Sequence, residues 1–129
     1  MEQARKLHGR VIRLKVKVSS HTPLHHEQAE EFTQIIKDVP ISDPKRPIVS
    51  NRTSGLLRTA EELREEFSEQ LRSPVFWEHN VHQMTGRGVH TFIEVGPGHV
   101  LSRMVRRISD QVTAVSLDDA EVEPIPISV

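Results

Sequence analysis

The sequence contains no cysteine. Disulfides, thiolate catalysis and Cys-based zinc sites are therefore excluded, and a reducing, cytoplasmic setting fits. Aromatic side chains are scarce, with only Phe32, Phe67, Phe76, Trp77 and Phe92, so any core must be mostly aliphatic. Neither sign of charge dominates: 17 Lys and Arg stand against 18 Asp and Glu, a formal net charge of −1. That balance argues against a nucleic-acid binder working by bulk charge. No apolar run approaches the roughly 20 residues that cross a bilayer. Residues 1–10 are polar, without the apolar stretch of a secretory signal, so neither nucleic acid nor membrane is expected as a partner. What is present is 129 residues, one domain's worth at roughly 100–150, and an unusual count of eight histidines.

Residues 1–8 read as the end of a helix, with Gly9 just past it. Over residues 11–18, apolar Val11, Ile12, Leu14, Val16 and Val18 interleave with basic Arg13, Lys15 and Lys17, the period of a half-buried strand. A helix is expected from about 23 to 38, with Thr22 as N-cap and Pro23 at the first position. Leu24, Phe32, Ile35, Ile36 and Val39 form its apolar stripe, and Glu27, Glu30 and Glu31 its solvent side. Pro40, Pro44 and Pro47 impose an extended connector. Residues 47–50 suit a short strand and 51–58 a turn or short hairpin. Thr59 and Glu62 make a capping box. It opens a helix to about residue 72 with Leu63, Phe67 and Leu71 on one face.

Ser73 and Pro74 repeat the cap-and-proline signal, so the next helix is expected to begin there. Val75, Val81 and Met84 would line it, with Trp77 packed nearby, and residues 86–88 would end it. Residues 89–95 form the best strand, 96–98 turn it into a helix over about 100–108, and 112–117 form a last strand. Strands alternating with helices predict an α/β fold with parallel pairing. Parallel strands need both faces covered, so a sheet of three short strands is expected to be incomplete.

Two stretches could carry chemistry. Residues 93–101 run from a strand through Gly96-Pro97-Gly98 into a helix N-terminus, a place that can offer amides to an anion. The dinucleotide fingerprint needs a third glycine where Leu101 stands, and Pro97 removes an amide; a structural βα turn is the preferred reading. The other stretch is Ser19-Ser20-His21-Thr22-Pro23-Leu24-His25-His26-Glu27. His21 sits where a strand gives way to a helix, the edge where α/β folds gather chemistry, and histidine is the usual general base near neutral pH. A metal set of His21, His25 and Glu27 would straddle the helix cap and lacks a His-Glu-x-x-His pattern, so no metal is predicted. His25, His26, His79, His82, His90 and His99 read as solvated or partly buried side chains. No serine is framed as Gly-x-Ser-x-Gly, and Ser19 and Ser20 lie too close along the chain to serve His21. The residues alone give a base without a nucleophile.

Four pieces occur in order: residues 16–24, Pro47-Ile48-Val49-Ser50-Asn51, Glu69-Gln70-Leu71-Arg72-Ser73-Pro74-Val75-Phe76-Trp77, and Phe92-Ile93-Glu94-Val95-Gly96-Pro97-Gly98-His99-Val100-Leu101. Together they resemble the C-terminal part of the malonyl-CoA:acyl-carrier-protein transacylases, including the acyltransferase domains of polyketide synthases, over residues 1 to about 118. The resemblance implies a partial three-layer, hydrolase-like α/β fold with short parallel strands. Residues 1–20 would be a helix–strand remnant of a ferredoxin-like subdomain, 21–118 the C-terminal part of the large subdomain, and 119–129 a tail without family pattern.

It further implies a Ser–His pair acting by ping-pong transfer of malonyl, or a related acyl group, from coenzyme A to acyl carrier protein. His21 matches the catalytic histidine and Gln70 the position whose main-chain carbonyl orients the imidazole. That carbonyl is a neutral substitute for a triad carboxylate. No cofactor is implied; malonyl-CoA is substrate. The family serine, in Gly-His-Ser-x-Gly, lies upstream of the matched pieces, as do the arginine for the malonyl carboxylate and the oxyanion-hole glutamine. His25 replaces the usual Met, and Ser20 precedes His21. The expectation is a fragment or short reading frame, inactive alone, whose alternative role is a non-enzymatic module completing a partner that carries the serine.

Overall fold

The computed structural model describes residues 6–7 and 17–119. Most of the helix end and strand expected over 1–18, and the tail beyond 119, therefore lie outside the described residues; Lys17 and Val18 carry no regular structure.

A 3₁₀ turn, Pro23–His25, leads into α1, His26–Lys37. Thr22 occupies the cap position in extended conformation but makes no capping bond; its hydroxyl donates to the Ser19 carbonyl at 3.1 Å. Strands β1, Ile48–Val49, and β2, Leu56–Leu57, pair antiparallel, with Ile48 opposite Leu57. Helix α2, Ala60–Gln70, opens with the full Thr59–Glu62 capping box, and Asp43 accepts from the Ala60 amide at 2.7 Å. The first-turn amides are thus satisfied from two sides. Helices α1 and α2 pack together and run oppositely: the Arg64 guanidinium donates to the carbonyls of Ile36, Lys37 and Val39 at the C-terminus of α1, where orphan acceptors and the helix dipole favour a cation.

The second half is a βαβ unit. Strand β3, Thr91–Glu94, pairs parallel with β4, Thr113–Ser116, in the register Ile93 to Val115. Between them runs α4, Val100–Ile108, and α3, Trp77–Thr85, packs on α4. Val81, Val105 and Ala114 form the core here, sealed by Trp77, Phe92, Ile108 and Val112. Gly98 takes φ +88° in the turn before α4, a conformation that favours glycine.

Two expectations need correction. The helix signalled at Ser73-Pro74 starts only at Trp77, with Phe76 at the cap position. The Phe76 amide donates at 2.8 Å to the Asn51 carbonyl, so this stretch is pinned to the β1–β2 hairpin, and Val75 lies before the helix instead of lining it. The three strands do not share one parallel sheet. Among the described residues there are two separate two-stranded sheets, and only β3–β4 is parallel. Residues 51–58 did form a hairpin, and a hairpin supplies β1 with its own antiparallel partner.

Candidate active site

A helix ends with carbonyls that have no partner inside it. At the end of α2 two of them are taken by His21. Its backbone amide donates to the Leu71 carbonyl at 3.0 Å, and its ring Nδ1 lies 2.9 Å from the Gln70 carbonyl oxygen. A carbonyl can only accept, so Nδ1 carries a proton, and in the neutral ring Nε2 keeps its lone pair. His21 holds φ +62°, a left-handed conformation uncommon outside glycine and costing about 1–3 kcal/mol. Its ring is half-buried. The structure thus brings His21 and Gln70 together across 49 positions of sequence. Ser19 and Ser20 stay exposed on the irregular approach.

The surrounding residues include partners that sequence reasoning missed. Arg72 donates through Nη1 to Nδ1 of His26 at 2.8 Å and grips Glu69 through Nε at 2.9 Å and through Nη2. His26 Nε2 faces Glu30 at 3.2 Å. The Arg72 hydrogen bond holds the Glu69 carboxyl below the ordinary carboxylate range, and Glu69 in turn raises the Arg72 guanidinium. Proximity of residue 72 to residue 70 was the available signal, but position 26 could be joined to it only through the fold. His25, at the departing family position, has a buried Nε2 without a protein partner. Among the described residues no group of three His, Asp or Glu is gathered as a metal would need.

The glycine turn closes on itself. Glu94 accepts from the amides of Leu101 and Ser102 at 3.0 and 2.9 Å, and Asp118 accepts from the Gly98 amide. Three of the amides that could meet a phosphate, those of Gly98, Leu101 and Ser102, are already bonded to the protein's own carboxylates. The turn serves the fold.

No family model matches the chain. It is 31% identical over 118 residues to the malonyl CoA-acyl carrier protein transacylase of Bacillus subtilis (strain 168), covering 92% of this chain and 37% of that protein. With the namesake from Escherichia coli (strain K12) it shares 32% over 110 residues, 85% of this chain and 36% of the relative. The chain is thus similar to the malonyl CoA-acyl carrier protein transacylases over most of its own length and over little more than a third of theirs. Among solved structures, an acyl carrier protein S-malonyltransferase from Vibrio cholerae superposes on this chain with TM-score 0.80 and 31% identity, over 86% of this chain and 36% of its own. A malonyl-transacylase solved in complex with its type II polyketide acyl-carrier protein gives 0.83 and 31%, over 92% and 39%. The chain therefore spans about two fifths or less of the length of these transacylases.

Proposed function

We propose that this chain supplies the general-base part of a malonyl-CoA:acyl-carrier-protein transacylase, with His21 as base and the Gln70 carbonyl as its orienter. The reading rests above all on the 2.9 Å approach of His21 Nδ1 to that carbonyl, which leaves Nε2 free to accept a proton. In the reaction, Nε2 takes the proton of a serine hydroxyl as its oxygen attacks the malonyl thioester. The tetrahedral intermediate collapses, the C–S bond breaks, and the imidazolium returns the proton to the departing coenzyme A thiolate. In the second half, Nε2 deprotonates the phosphopantetheine thiol of acyl carrier protein. The sulfur attacks the acyl-serine ester, and serine leaves with the proton. The serine belongs to the part of the family fold that this sequence does not match, within the three-layer sheet to which β3 and β4 would contribute.

A base alone supplies roughly 10²–10⁴-fold; the covalent step and oxyanion stabilisation need groups outside these residues. The purified chain is expected to show no transfer from malonyl-CoA to holo acyl carrier protein. Adding the serine-bearing portion of a relative is expected to restore transfer, and His21→Ala to abolish the restored activity. Transfer by the chain alone, lost in His21→Ala, would falsify the assignment of the missing groups to another segment.

One observation favours the companion reading of a module that completes a serine-bearing partner. Among the described residues the face of β3–β4 turned away from α4 has no covering layer: Ile93 and Val115 are 57% and 39% exposed, and Val95 and Leu117, just past the strand ends, 80% and 40%. Parallel strands are almost always covered on both faces.

A further inference from the structure

The bond between His21 and Gln70 depends on the register between two segments, the entry into α1 and the exit from α2. A series of side chains crosses that same junction. Arg72, just beyond Gln70, donates to Nδ1 of His26, the first residue of α1, at 2.8 Å. Glu69 anchors the guanidinium on one side, and Glu30 lies 3.2 Å from His26 Nε2 on the other. Arginine has only donors. Nδ1 of His26 must therefore be bare, with its single proton on Nε2, which lies 3.2 Å from Glu30. The link between the helices exists in one protonation state of His26, the neutral one.

We propose that Arg72 and His26 are positioning residues for His21: a clasp between α1 and α2 that keeps the imidazole in register with the Gln70 carbonyl and lets go when His26 gains a second proton. This rests on the reading of His21 as the general base. Among the described residues the charged groups facing His26 are Arg72 and Glu69 from the end of α2 and Glu30 from its own helix. Protonation strengthens the contact with Glu30, inside α1. It sets donor against donor and cation against cation at Arg72, and that is the side-chain bond joining the start of α1 to the exit of α2. The clasp is partly open to water, with side-chain exposures of 59% for His26 and 31% for Arg72, so its effect is graded and not all-or-none.

The test is solvent exchange of the His21 Nδ1 proton, followed by NMR in the full 129-residue chain. At pH about 8 the proton is expected to be protected. Arg72→Met and His26→Phe should each speed its exchange about two- to fivefold, the range an exposed pair supports. His26→Asn keeps an acceptor near the Nδ1 position without a titrating ring, and should restore the slow exchange. Once the pH is lowered far enough to protonate His26, the wild type should match Arg72→Met while His26→Asn stays slower. A packing role alone would not produce that crossover. Unchanged exchange in both loss variants, with the proton still protected, overturns the clasp and leaves His21 as base. An unprotected proton in the wild type overturns the clasp together with the orienting role of Gln70. If Arg72→Met fails to fold, the two His26 variants still decide.

Discussion

Glu66 takes a carboxylate into the interior, with only 5% of the residue exposed. Its oxygens accept at 2.7 Å from the hydroxyl of fully buried Ser50 and at 2.7 Å from the amide of Asn51. The Ser50 oxygen in turn accepts from the amides of Arg52 and Thr53. One side chain of α2 thus fixes the hairpin from which Phe76 hangs. Removing an acceptor strands buried donors, at about 1–3 kcal/mol for such a group. Glu66→Ala is expected to lower unfolding free energy by about 2–3 kcal/mol in urea titration. Glu66→Gln, which keeps one acceptor, should lose less. A loss under about 0.5 kcal/mol, the scatter of ordinary surface changes, would show that the hairpin is held some other way. Glu66 shares its helix with Glu61, Glu62, Glu65 and Glu69, and its position three beyond buried Leu63 was the one clue that it points inward. His21 and Gln70 were legible because their surrounding words resemble a family. Arg72 and His26 have no such words, and their meeting depends on how α1 packs against α2.

Helix ends show the same division between local and distant causes. The Thr59–Glu62 box was readable because every atom of it lies within one turn, and α2 begins where that box says. Ser73-Pro74 carries an equally good local signal and starts nothing. There the tertiary bond from Phe76 to Asn51 at 2.8 Å competes with helix and wins. Helix α4 is a third case: His99, at the cap position, gives no capping bond, and Glu94 on the preceding strand reaches over to serve the Leu101 and Ser102 amides instead. Those two amide bonds, that of Ser102 first, hold the Glu94 carboxyl below the ordinary carboxylate range. The unfolded chain therefore binds this proton more readily than the folded one. Stability from the cap is complete above the ordinary value near 4.3 and drains away as pH falls through the lower folded value. Glu94→Gln is expected to destabilise the chain at pH about 7 and to flatten the acid limb, so that mutant and wild-type unfolding curves converge at low pH. Curves that stay parallel from neutral to strongly acid pH would show that the carboxylate charge plays no part in the cap.

At the scale of the whole molecule, the buried apolar residues fall in two places, Ala29, Ile36 and Leu63 on α1 and α2 and Val81, Val105 and Ala114 around the βαβ unit, while much apolar surface of both halves stays outside. Leu24 and Ile35 of the α1 region are more than half exposed, although the helical period of that stripe was plain in the sequence. Periodicity tells which side of a helix is apolar; it does not tell whether the chain itself provides the cover. The same holds for β3–β4, whose strands were predicted where they occur and whose outer face has no layer among the described residues. The matched transacylases are about two and a half to three times as long as the aligned share, at 36–39% coverage, and under the proposed function a serine-bearing portion would cover it. Ile93 is the sharpest probe, because it is central on that face, in register with Val115, and more than half exposed. In the isolated chain, Ile93→Asp should change unfolding free energy by less than about 0.5 kcal/mol, as exposed substitutions do. In a mixture with the serine-bearing portion of a relative, the same substitution buries a carboxylate against apolar neighbours without a partner. It should therefore abolish both co-elution and restored acyl transfer, while His21→Ala abolishes transfer and leaves co-elution intact. If Ile93→Asp leaves co-elution unchanged, the outer face of β3–β4 is not where the two portions meet, whatever His21 does.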